Sequence, residues 1–144
     1  MLERVRASQY SPGVVDIKYS PGALMDIEFA VQALQMRYAR QNPALRVTRT
    51  ADVLRALVDT PPVAVDFVTL SKLFERLRTV ESRLRMTDLR GVSAMPTDPR
   101  ALAILARRLG LIGDDVGATL DAEIRQILAE SRALVGAIFE KISF

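Results

Sequence analysis

"YSPGALMDIEFAVQALQMRYAR", residues 19–40, changes character at Gly22. Before it stands a Ser-Pro-Gly turn, in which proline fixes φ and glycine permits a positive φ. After it, Leu24, Ile27, Val31, Leu34 and Tyr38 are spaced 3, 4, 3 and 4 apart, one stripe of an α-helix running to about Arg40. "QNP" at residues 41–43 ends that helix. Upstream, an earlier Ser-Pro-Gly at residues 11–13 and the alternating, β-branched "VVDIKY" at 14–19 place Lys18 on a defined loop, extended or forming a short strand.

The helical period continues downstream. Thr50 is a candidate cap for a short helix, with Asp52 in its first turn and Val53, Leu54 and Leu57 inside. "TPP" at 60–62 breaks the chain and is read as starting the next helix, proline being tolerated in a first turn. There Phe67, Leu70, Phe74, Leu77 and Leu84 make one seam, widened by Leu73 and Val80, until "RGVSAMPTDP" interrupts from Arg90. "TDPRALAILARRLG" is a complete helix, with Asp98 as cap, Pro99 first and Gly110 as stop. The last segment, capped by Asp114 or Asp115, carries Val116, Leu120, Ile124, Ile127, Leu134, Ile138 and Ile142. Gly117 and Gly136, if interior, weaken it by about 1 kcal/mol each. The expectation is an all-α, antiparallel bundle of about five helices, with residues 1–22 as an N-terminal segment and loop and 23–144 as the bundle of a single domain.

Composition narrows the chemistry. The 144 residues include no Cys and no His, which removes disulfides, thiol nucleophiles, Ser-His-Asp and Cys-His triads and the usual zinc sites. No apolar run approaches the ~20 residues a membrane helix needs, and "MLERVRASQY" lacks a signal-peptide h-region, so a cytoplasmic location is expected. The net charge is +3, but basic residues are interspersed with acids, there is no Trp, and aromatics are 6%. That distribution argues against a nucleic-acid partner.

Three features could carry chemistry. Asp26 and Glu28 form an Asp-x-Glu pair, but two positions apart on a helix they point to nearly opposite sides, so helix-end electrostatics is preferred to a shared metal. Glu28, Gln32 and Gln35 read as a polar stripe. Glu81 falls where the seam calls for an apolar residue. It is either buried with a partner, Arg78 and Arg85 being within helical reach, or the seam opens onto a polar surface there. Lys18 could reach an anion such as a nucleotide phosphate, although neither G-x-x-x-x-G-K-[ST] nor G-x-G-x-x-G is present.

"DIKYSPGALMDIEFAVQ" resembles the signature that follows the catalytic core in glutamine synthetase adenylyltransferases, and a similar helical region occurs in uridylyltransferases of the PII signal protein. "NPALRVTRTADVLRAL", "FERLRTVESRLRM" and "MPTDPRALAILARRLG" continue the likeness in order, from Lys18 to about Gly110. The resemblance implies a helical domain beside a nucleotidyltransferase domain, in an enzyme that attaches AMP to glutamine synthetase or removes it. It implies that Lys18, Gly22, Asp26, Glu28 and Gln32, with Glu81 and Arg83 of the arginine-rich segment, lie toward the catalytic cleft or a partner domain. Ala23 and Met25 depart from the family pattern, and the Gly-Ser turn with paired aspartates that holds Mg²⁺ is absent.

The chain is therefore expected to be catalytically silent alone, with no catalytic residue, metal or cofactor of its own, ATP and Mg being used by the parent enzyme. Expected partners are a nucleotidyltransferase domain in cis or in trans, glutamine synthetase, and the PII protein as a further candidate. The alternative is a stand-alone helical module that binds a separate nucleotidyltransferase or regulatory protein. A third reading is a homo-oligomer joined along the last helix. An exposed apolar patch at residues 14–25 would favour the first reading, and one along 120–142 the third.

Overall fold

The computed structural model describes residues 13–87 and 92–142. Among them are five α-helices: α1 Leu24–Tyr38, α2 Thr50–Asp59, α3 Phe67–Thr87, α4 Pro99–Arg108 and α5 Val116–Lys141. A short 3-10 turn, Pro43–Leu45, follows α1. The fold is all-α, with no strand among the described residues. Of "VVDIKY", residues 14–16 run into one antiparallel bridge, Asp16 to Ala94, and residues 17–19 turn, so the extended stretch ends at Asp16 and Lys18 sits in a turn. There the Ile17 N–H donates to the Ser93 carbonyl at 3.0 Å and the Met95 N–H to the Val15 carbonyl at 2.7 Å. The first Ser-Pro-Gly turn, apart from Gly13, lies outside the described residues, as does Arg90.

Helix ends follow local chemistry, not always as expected. Asp98 caps α4, accepting the Ala101 N–H at 3.0 Å, with Pro99 in the first position. Thr50 does not cap α2: Arg49 holds the cap position, Thr50 is the first helical residue, and no side chain bonds the first turn. "TPP" does not start α3 either. Asp66 does, accepting both the N–H (3.0 Å) and the hydroxyl (2.7 Å) of Thr69. Those bonds hold the Asp66 carboxyl below the ordinary range, because they favour its charged form. Asp115 precedes α5 with φ +54 and caps with its backbone only. α1 stops at Tyr38, short of Arg40.

The apolar stripes meet in one core. Leu24, Ile27, Val31 and Leu34 of α1, Val53, Leu54 and Leu57 of α2, and Phe67, Leu70, Phe74, Leu77 and Leu84 of α3 are all buried. Each such side chain is worth ~1.5–3 kcal/mol when fully buried. Ile17 is also fully buried, so the loop before α1 shares this core. α4 packs chiefly on α5 and α2 on α3, while α1 contacts α5, α2 and α3. In α5 the buried line runs through Leu128, Ser131 and Val135, leaving Leu134 half-buried where the sequence suggested a core position. That shift is the drift of a 3.6-residue turn over a long helix. No helix among the described residues is long and apolar enough to cross a membrane.

Candidate functional site

The loop that presents Lys18 is organised by Asp16. Its carboxylate accepts the N–H of Lys18 at 2.8 Å and of Tyr19 at 2.9 Å, while its own N–H donates to the Ser20 hydroxyl at 2.8 Å. The first N–H groups of α1, from Leu24 and Met25, donate to the carbonyls of Ile17 and Lys18 at 3.1 and 3.0 Å. Loop and helix are thus one hydrogen-bonded unit. The Lys18 ammonium lies 5.4 Å from the centroid of the Tyr19 ring, within cation–π range. Asp16 and Ser20 escaped the sequence reading because a side-chain-wired loop has no period; an acid two residues before a loop lysine is the one available signal.

Gly22 has φ +84 and sits against α5, where an added Cβ would lie 2.2 Å from the Leu128 carbonyl oxygen and 3.0 Å from the Arg132 nitrogen. Here glycine is required twice, for its dihedral and for the close approach. Its N–H donates to the Asp26 carboxylate at 2.7 Å.

Asp26 and Glu28 are therefore separated in role. Asp26 is buried in the first turn of α1 and turns back to the loop, accepting the N–H of Gly22 just before the helix. Glu28 points the other way, into a groove, and no cluster of metal-ligating side chains exists among the described residues. That groove has a cavity of about 490 Å³ between α1, the start of α2 and α3, where Glu28 meets Arg49, Thr50, Phe74, Glu75 and Arg78.

Glu81 is buried, its side chain 7% exposed, and is held by Arg78 at 3.1 Å and Arg85 at 3.6 Å. Both arginines are more than half exposed, so the seam here is a buried acid under a basic surface. Partial burial raises the Glu28 carboxyl above its ordinary value against the opposing charge of Arg78; Glu81 adds to the rise, and Lys18 opposes it. Lys18 from the loop and Arg78 and Glu81 from α3 thus all act on the Glu28 carboxyl of α1, and Arg78 and Glu81 are ion-paired with each other. Gln32 is exposed on the outer side of α1. Arg83 is also exposed and contacts the Met86 sulfur at 3.8 Å; two positions from Glu81, it lies on another side of α3.

The chain matches the family model described as GlnD PII-uridylyltransferase over residues 2–142. The chain belongs to that family. Among curated relatives, it is 38% identical over 102 residues to the bifunctional glutamine synthetase adenylyltransferase/adenylyl-removing enzyme of Streptomyces avermitilis, covering 70% of this chain and 10% of that protein. The enzymes of the same name from Corynebacterium diphtheriae and Streptomyces coelicolor are 32% and 33% identical, over 90% and 96% of this chain and 12% and 14% of theirs. The chain thus spans a small part of the length of these relatives. No solved structure gives a significant match. The likeness runs through both segments that converge in space, the loop and α1 on one side and α3 on the other.

Proposed function

We propose that this chain is a helical, non-catalytic domain of a glutamine synthetase adenylyltransferase/adenylyl-removing enzyme, acting in the cytoplasm in nitrogen regulation. Residues 23–144 form its bundle and residues 1–22 lead into it. Its work is positional: it packs beside a nucleotidyltransferase domain and helps place nucleotide or protein substrate, while ATP and Mg are handled by that other domain. One observation carries the reading. Glu28 of α1 and Arg78 of α3, far apart in sequence, line one open groove, Arg78 is ion-paired to the buried Glu81, and the charge of Lys18 acts on the same Glu28 carboxyl. A hydrogen-bonded loop and buried acids hold charges at fixed places, as a docking face requires. The exposed apolar patch expected of this reading at residues 14–25 is not found, those residues being buried or half-buried, and along residues 120–142 Phe139 is the one large exposed apolar side chain among the described residues; the others, Met36, Met86 and Ile112 among them, are distributed over several elements. Glutamine synthetase, and the PII protein with it, fit this reading as partners of the whole enzyme.

The test joins the chain to a nucleotidyltransferase domain of the family and compares Lys18→Ala with the parent. The reading expects AMP transfer to fall about tenfold, the loss of one charge-assisted contact, with an unchanged melting temperature. Equal activity would sink it.

A further inference from the structure

Both backbone groups of Lys18 are engaged: its N–H donates to the Asp16 carboxylate at 2.8 Å, and its carbonyl accepts the Met25 N–H at 3.0 Å. The same Asp16 oxygen accepts the Tyr19 N–H at 2.9 Å, so the residue whose ring faces the Lys18 ammonium is fixed by the acid that fixes Lys18. Asp16 is itself buried and clamped. Its N–H donates to the Ser20 hydroxyl at 2.8 Å and its carbonyl accepts the Ser20 N–H at 3.1 Å. Its neighbours Val15 and Ile17 are bonded to Met95 and Ser93. The Asp16 carboxylate is turned to two N–H groups, and Lys18 makes no ion pair among the described residues, so the charge of the lysine is left for a partner.

We infer that Asp16 is a positioning residue for Lys18, supported by Ser20 and Tyr19: together they hold the lysine as a cation already in place, and its contribution to docking depends on Asp16. A lysine on a loose loop loses its rotamer and backbone freedom when a partner captures it, whereas one held beforehand loses less and binds more tightly. Bonds from backbone N–H groups to a carboxylate are charge-assisted and short, which suits them to this hold. The inference rests on the docking reading for what Lys18 contacts, and adds the residue on which that contact depends.

The chain joined to a nucleotidyltransferase domain of the family would be assayed for AMP transfer as Asp16→Ala, Asp16→Asn, Lys18→Ala and the Asp16→Ala/Lys18→Ala double variant. Asp16→Ala should lose as much as Lys18→Ala, about tenfold. Asp16→Asn, whose amide oxygen accepts the same two N–H groups, should recover most of it. The double variant should be no worse than Lys18→Ala alone. That non-additivity separates positioning from folding, since a loop that had merely lost its structure would lower activity in the Lys18→Ala background too. Should Asp16→Ala fail to fold, Ser20→Ala, which frees the Asp16 N–H, carries the same cycle. Asp98→Ala, which removes a comparable bond at the start of α4, should melt lower and still transfer AMP as the parent does. Additive losses, or a fully active Asp16→Ala, would overturn the inference and leave the docking reading standing. A fully active Lys18→Ala would end the docking reading instead, and NMR of the chain alone then decides for Asp16: Overhauser contacts between the Lys18 side chain and the Tyr19 ring should vanish in Asp16→Ala and persist in Asp16→Asn. Contacts that survive Asp16→Ala would overturn the inference.

Discussion

Replacing Gly22 by Ala asks whether the loop is fastened to α5 as tightly as the geometry says. A φ of +84 costs an L-residue ~1–2 kcal/mol. The new Cβ would also lie 2.2 Å from the Leu128 carbonyl oxygen, a backbone atom that cannot swing aside, so the loop must lift. Lifting stretches the 2.7 Å bond from the Gly22 N–H to the buried Asp26 carboxylate, a charge-assisted bond worth ~1.5–3 kcal/mol. The sum is ~2.5–5 kcal/mol. Gly113 is the control: its φ is +112, but nothing lies within 4 Å of its missing Cβ, so Gly113→Ala meets the dihedral cost alone. The two variants should differ by ~1.5–3 kcal/mol, or roughly 5–10 °C in melting temperature for a chain of this size. Urea titration and thermal melts followed by far-UV circular dichroism measure both. Equal midpoints for the two alanine variants would refute the close-approach account.

Glu81→Met should melt no lower than the parent, because the side chain enters an apolar seam and Arg78 and Arg85 are exposed enough to be solvated alone; a loss above ~3 kcal/mol would make the ion pair structural. Ser131→Ala should raise stability by ~1 kcal/mol in the same melts, since the Ser131 hydroxyl is fully buried with no hydrogen-bond partner among the described residues. Gly136→Ala should add ~0.5–1 kcal/mol by favouring helix, because the position is inside α5 with open space around it; destabilisation would show a hidden contact.

The helices were legible because their packing is periodic. The stripe Leu24, Ile27, Val31, Leu34 and the seam Phe67 to Leu84 appear in the core as the spacing implied. Helix starts were less so. A cap depends on which side chain reaches a free N–H, and "TPP" drew attention away from Asp66, which makes that bond. Glu81 stood out as a charge in an apolar register, and Arg78 and Arg85 followed from helical reach. What no spacing could show is that Glu28 faces Arg78 while Asp26 turns to the loop. That depends on how α1 lies against α3 and on a loop wired by Asp16 and Ser20.

Hydrogen exchange of this chain, alone and mixed with a separately made nucleotidyltransferase domain of the family, tests the docking face most directly. Slowed exchange should appear in the Lys18 loop, the first turns of α1 and α2, and the middle of α3 around Arg78 and Glu81, with α4 unchanged. Protection confined to α4 and α5, or no change anywhere at concentrations where the linked domains are active, would contradict it.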